Sequence, residues 1–414
     1  MKKFLITIFV VILGGFYNSC EHEQLTPDDR QMKEIHLSPV AKQIVEKDNQ
    51  FGFELFHNLT ETEQEVKNTM ISPVSVALAL AMTYNGATDS TKKAMENTLN
   101  LEGLTTEQIN QSYKDLMEAL LSVDQKVTVE MANSIWSKQG FTVEDEFIKV
   151  NGDYYNAEVR ELDFSDPIAK DIINGWISDK THGKIQDVIE SIEPSVVMYL
   201  INALYFNGFW KYQFDESDTK TEPFYTVDGS EVQTDMMQME ADLKYYRDER
   251  FEAIELPYGR GNYSMICLLP DAGYSVNELI MDLSVSRWNE MLYGWTEKGI
   301  QLHLPKLKFE YKKELKEILT SLGMGIAFTP EEADFSGINP LKELFISKVI
   351  HQTFLEVDEK GTEAAAVTVV EIRETSSGGS GSPYRIRFDR PFLFAIQENS
   401  TKTIMFMGKV INPA

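Results

Sequence analysis

Histidines, cysteines and activated hydroxyls are where catalysis or metal binding would first show, and few of them stand at a workable spacing here. Six histidines occur, His22, His36, His57, His182, His303 and His351. None is paired at the spacing of a metal-binding motif, so no metal is expected. Two cysteines, Cys20 and Cys267, exclude a disulfide framework and a cysteine-bound zinc site. Cys267 lies in the apolar run Ser264–Leu269 and reads as an inert core thiol. The tract Gly378-Gly379-Ser380-Gly381-Ser382 resembles the nucleophile elbow of hydrolases. It lacks the final glycine and the strand entering a helix that such an elbow needs. There is no phosphate-binding glycine loop, no cofactor is expected, and the chain does not read as an enzyme.

What remains is chemistry done to the chain by another molecule. Ser376–Ser382 is a serine-glycine tract before Pro383, flexible by composition and expected at the surface. The residues leading into it alternate. Thr362, Ala364, Ala366, Thr368, Val370 and Ile372 share one face of a strand and carry no charge. Glu363, Ala365, Val367, Val369, Glu371 and Arg373 share the other, which can lie against water. Small residues follow Gly361 and would slide between neighbours without clashes. Periodicity alone leaves two readings open: an edge strand followed by a long loop, or a segment that is loop in one state and strand in another.

Lys plus Arg total 39 against 65 for Asp plus Glu, a formal net charge of −26, so nucleic acid is not an expected partner. With 43% hydrophobic and 25% charged residues the body is an ordinary globular one. Residues 1–20 read as an export signal: Lys2 and Lys3, an apolar stretch from Phe4 to about Phe16, then Cys20. That cysteine looks like the lipid-modified cysteine of bacterial lipoproteins, with Tyr17 where an aliphatic residue is usual. The expectation is an exported, membrane-anchored protein, periplasmic or at the cell surface, touching the membrane only through the lipid. Residues 21–44 read as a polar tether and 45–414 as one domain.

Within that domain, Ile44, Phe51, Leu55 and Leu59 fit one face of a helix. Ser72-Pro73 is a cap with proline at the first helical position, and Gly86 stops the helix that follows. Strands are expected at Val127–Trp136, Val196–Phe206, Tyr263–Leu269, Ile300–Leu307, Phe345–Val357 and Ile404–Val410. Helices are expected at Ile168–Lys180, Val276–Ile280 and Lys312–Leu322. Strands and helices mix without a β-α-β rhythm, which predicts α+β architecture.

Glu359-Lys360-Gly361-Thr362-Glu363-Ala364-Ala365-Ala366-Val367-Thr368 resembles the reactive-loop hinge of inhibitory serpins. Asn68–Gly86, Asn202–Trp210, His303–Leu307 and Phe388–Phe392 each match serpin signatures in serpin order, and the likeness covers about residues 45–414. It implies a serpin fold: three β-sheets, eight or nine helices and an exposed reactive loop near the C-terminus. The implied activity is suicide inhibition of serine proteases, elastase-, subtilisin- or trypsin-like, and of papain-like cysteine proteases, by a monomer. By resemblance Gly361 is the pivot and Thr362 the first side chain to insert. Ser72, Ser75, Asn202 and His351 match a polar cluster that gates strand separation. Trp210 matches the tryptophan where insertion begins, and Lys306 and Glu359 a hinge ion pair. Family spacing puts the reactive bond between Thr375 and Ser376, with Arg373 and Glu374 as alternatives. A non-inhibitory relative would carry bulky, charged or proline residues in the hinge, and Gly361–Thr368 has no such run.

Overall fold

A computed structural model describes residues 32–63, 67–340, 344–362 and 383–413. Nine α-helices occur among them: α1 (Pro39–Thr62), α2 (Pro73–Tyr84), α3 (Asp89–Thr98), α4 (Thr106–Ser122), α5 (Asp145–Tyr155), α6 (Ala169–Lys180), α7 (Val276–Asp282), α8 (Val285–Tyr293) and α9 (Lys316–Leu319). The strands are β1 (Thr69–Ile71), β2 (Val127–Lys138), β3 (Glu158–Leu162), β4 (Met198–Phe209), β5 (Lys220–Tyr225), β6 (Glu231–Arg247), β7 (Phe251–Tyr258), β8 (Tyr263–Pro270), β9 (Thr296–Pro305), β10 (Leu307–Glu314), β11 (Ile350–Val357), β12 (Gly361–Thr362), β13 (Tyr384–Arg387), β14 (Phe392–Glu398) and β15 (Ile404–Val410).

One sheet has six strands in the order β10-β11-β12-β4-β2-β3. The other strands form a nine-stranded network, β1-β15-β14-β8-β7-β6-β9-β13 with β5 on β6. Its two parts share β6, which pairs with β9 over Met236–Tyr245 and with β7 over Lys244–Arg247. Counting β6 in both parts gives the three sheets expected. β8, β14 and β15 are buried along their whole length and form the middle of the core. Cys267 is fully buried there, and burial pushes its thiol up, away from reactivity.

Local signals place most elements. Ser72 accepts a hydrogen bond from Ser75 N–H at 3.3 Å and Pro73 opens α2, which ends at Tyr84. Four expectations shift. The tether read as ending at 44 ends sooner, because Ser38 and Pro39 cap α1 and bury Ala41 and Ile44. Lys33 N–H already bonds Asn262 Oδ1 at 3.1 Å, and Ile35 N–H bonds Ser400 Oγ at 3.1 Å. The helix read from Lys312 begins at Lys316, because pairing with β11 holds Lys312–Glu314 in a strand. The strand read from Phe345 begins at Ile350, since pairing with β10 starts at that residue. The strand read as Ile300–Leu307 breaks at Lys306, where the chain passes from β9 to β10.

β11 and β4 flank β12 in the six-stranded sheet and, among the described residues, do not pair with each other. β12, two residues long, bridges them at one end only, matching Thr362 to Val357 on β11 and to Gly208 on β4. Among the described residues, the facing edges below that point have no strand between them.

Candidate functional site

The end of β11 turns back on itself to make β12. Asp358 Oδ1 accepts from Lys360 N–H at 2.8 Å and Gly361 N–H at 3.1 Å, while Asp358 N–H donates to Gly361 O at 2.9 Å. This is the turn chemistry of aspartate at the first position and glycine at the fourth. The turn is fastened to the chain after β4. Trp210 N–H donates to Lys360 O at 2.8 Å, its indole N–H to Asp358 O at 2.9 Å, and Phe214 N–H to Glu359 O at 3.0 Å. A Cβ at Gly361 would overlap the Gly208 carbonyl oxygen and lie 2.8 Å from Phe209 Cα, so glycine is required by close approach.

Thr362 points inward. It is 4% exposed, and its hydroxyl sits 2.5 Å from the hydroxyl of Tyr258, whose ring stacks on Trp210 at 4.3 Å. Glu359 lies 2.8 Å from Lys306 Nζ and accepts from Thr219 Oγ1 at 2.7 Å. Burial alone would raise the Glu359 carboxyl, but Lys306 and Thr219 outweigh it and hold it below the usual range. Lys306 is 39% exposed, so the pair locates the turn and adds little stability.

Farther down, Ser72, Ser75, Asn202 and His351 come together from α2, β4 and β11. Ser72 N–H donates to His351 Nε2 at 3.0 Å, and Ser75 Oγ to Asn202 Oδ1 at 2.5 Å. Asn202 Nδ2 donates to Asn133 Oδ1 at 2.8 Å, and Asn133 Nδ2 to Tyr155 O at 2.7 Å. His351 must be neutral to accept from Ser72, and burial pushes its imidazole down to about 4. The cluster links the facing edges of β4 and β11 and lines a cavity of about 560 Å³.

Sequence reasoning did not single out Asn133, Tyr258, Asp358 or Thr219. Asp358 with Gly361 was findable from turn chemistry, whereas the other three act across long chain separations and carry no local signal. Glu363, Ala364, Ala365, Ala366, Thr368, Arg373, Glu374, Thr375, Ser376 and Cys20 lie outside the described residues. The described residues hold no cluster of histidine, cysteine and acid side chains fit for a metal ion.

Two measurements follow from this geometry. Tyr258→Phe leaves the Thr362 hydroxyl buried without its partner, at a cost of about 1–3 kcal/mol. Amide exchange at 358–362 should speed up about tenfold or more, with α1 unchanged as control; unchanged exchange at the turn would show that the hydroxyl pair does not hold it.

The second concerns pH. Asp48, fully buried in α1 and bonded to Tyr113 at 2.7 Å, is pushed by burial up to about 7. Its folded value is raised, so its contribution is full below about 3.8 and lost as pH rises toward 7. His351 has a depressed folded value: the unfolded chain binds the extra proton, and stability is lost as pH falls from about 6.5 toward 4. The two slopes oppose each other over the same window. Asp48→Asn should therefore lose about 3 kcal/mol between pH 7 and pH 4, while His351→Gln should gain stability on the same acidification. Urea unfolding across that range checks both; parallel profiles for the two variants would contradict the assignment.

A family model described as Serpin (serine protease inhibitor) matches residues 46–413. A serpin-like protein of Methanosarcina acetivorans is 36% identical over 88% of this chain and 87% of its own length. The thermophilic serpin tengpin in its native state superposes with a TM-score of 0.82 at 34% identity, covering 93% of this chain and 98% of that one. Thyroxine-binding globulin in complex with thyroxine superposes with a TM-score of 0.81 at 28% identity, over 90% and 100% of the two chains. With its turned hinge, its polar cluster and central edges unpaired among the described residues, this chain belongs to the serpin family.

Proposed function

We propose that the protein is a suicide-substrate inhibitor of serine proteases acting outside the cytoplasm, held to a membrane through a lipid on Cys20. Membership of the serpin family supports protease inhibition in general. The observation that carries the finer reading is β12: a two-residue strand at one end of a gap that no other described strand fills. Continuing its register down β4 sets Thr368 opposite Asn202, and down β11 opposite His351. The same register brings Ile372 opposite Met198, where β4 begins. Residues 363–372 thus match the free edge in length. Because Thr362 faces inward, Ala364, Ala366, Thr368, Val370 and Ile372 would follow it. Ala364 would lie between Phe206 and Leu355, where a small side chain is needed.

A protease that attacks the bond between Thr375 and Ser376 forms an acyl-enzyme on the new end of the chain. The freed segment then enters the gap as a full strand and carries the enzyme with it. About ten new residues in the sheet add about as many backbone hydrogen bonds, each worth roughly 0.5–1.5 kcal/mol net. A total on the order of 10 kcal/mol matches the whole stability of a domain, enough to distort the attached enzyme. Thr375 suits elastase- or subtilisin-like enzymes. Arg373 suits trypsin-like ones at the cost of a shorter insert, and Glu374 is a third position. Papain-like cysteine proteases form the same kind of acyl intermediate. A second reading, a non-inhibitory binding protein, draws on the likeness to a globulin whose structure holds thyroxine.

Mixing the protein with trypsin, elastase and subtilisin in turn separates the readings on a denaturing gel. Inhibition predicts a covalent complex and a released peptide starting near Ser376; clean cleavage by every enzyme with no complex favours the binding protein. Thr362→Arg places a charge beside Tyr258 in a site with no counter-charge among its described contacts. That variant should be cleaved as a substrate, and complex formation at the unaltered rate would end the insertion account.

A further inference from the structure

The cavity of about 560 Å³ lined by residues of β4 and β11 is far larger than the voids a close-packed interior leaves, and it falls in the range of small-molecule sites. Its walls come from three layers. Val76, Ala79 and Leu80 of α2 line one side, and Ile177, Val188 and Ile189 of α6 and the chain after it line the other. Its upper end is the hydrogen-bonding group Ser75, Asn202 and His351. Its lower end carries two lysines. Lys138 N–H bonds Val197 O at 2.9 Å, which fixes Lys138 beside the start of β4. Lys348 lies at the same level, since the register that sets Thr362 against Gly208 and Val357 brings Met198 level with Ser347. Both lysines line the cavity, and Lys138 Nζ donates to Pro194 O at 3.2 Å. Glu190 pairs with Lys312 at 2.7 Å and also feels the charge of Lys348, while Asp163 feels that of Lys138.

The geometry points to a binding site for a medium-chain anionic amphiphile, its alkyl chain against the apolar side chains of α2 and α6 and its carboxylate at the end that carries Lys138 and Lys348. From Asn202 to Val196 the slot runs about 20 Å at the rise of a strand, room for a chain of about twelve carbons and its head group. The site does not depend on the inhibitory reading, but its consequence does. A molecule in the slot occupies the lower positions that residues 368–372 would take, so it holds the chain uninserted and turns an inhibitor into a substrate.

Titration calorimetry of the full chain with dodecanoate, kept below its micelle concentration, tests this. One saturable site is expected. Ala79→Trp, which fills the slot, should abolish binding. Lys138→Glu with Lys348→Glu, both at the lower end, should weaken it about tenfold or more, and 1-dodecanol should bind more weakly than dodecanoate. No saturable binding by the intact chain, or equal affinity in the lysine double variant, would overturn the site; the double variant changes surface charge and keeps the test clear of misfolding. Protein cut near Ser376 separates this site from the inhibitory reading. If cutting raises the melting temperature and abolishes binding, ligand and inserted strand share the slot. If cutting leaves melting unchanged while Ala79-sensitive binding persists, the inhibitory reading fails and the ligand site stands.

Discussion

The facing edges of β4 and β11, unpaired among the described residues below β12, are the constraint on which the rest of the structure depends. Backbone donors and acceptors inside folded proteins are nearly always paired, and a sheet interrupted in its centre departs from that rule. The sheet stays divided because both edges are held from outside the gap. β4 is bonded along its length to β2, and β11 along its length to β10. The single bridge, β12, is fixed by the Asp358 turn and by Trp210. Among the described residues the sheet is therefore joined across its centre at one end only.

Around this gap the polar residues fall into two groups with different tasks. Glu359, Lys306, Thr219, Tyr258 and Trp210 fix the turn at Asp358 and the position of β12. Ser72, Ser75, Asn202, His351 and Asn133 tie the two edges to α2 and β2 lower down. In the second group every bond is neutral, and the imidazole serves as an acceptor only while unprotonated. Neutral bonds of this kind can be exchanged for other neutral bonds without burying a charge, which a salt bridge in the same place would not permit.

Much of the fold was legible because its signals are local. The Ser72-Pro73 cap, the apolar runs of β8 and β15, and the uncharged face beginning at Thr362 are all written in a few consecutive residues. The inward orientation of Thr362 in the structure agrees with that face. Resemblance to a family supplied the grouping of Ser72, Ser75, Asn202 and His351, which residue pattern alone cannot give. What stayed hidden depends on pairing partners far along the chain. Lys312–Glu314 reads as the start of a helix until β11 is placed beside it, and Tyr258 is an ordinary strand aromatic until Thr362 is set against its hydroxyl. The start of α1 at Pro39 was obscured because its first turns are polar on the outer face.

The claim that the gap stores usable free energy is tested most directly by cutting the chain near Ser376 with a protease and comparing the thermal unfolding of cut and intact protein. If the segment after Thr362 enters the sheet, the cut form unfolds at a much higher temperature, even though a covalent link has been lost. If the cut form unfolds at or below the temperature of the intact chain, the gap is not a site for that strand and the account is wrong.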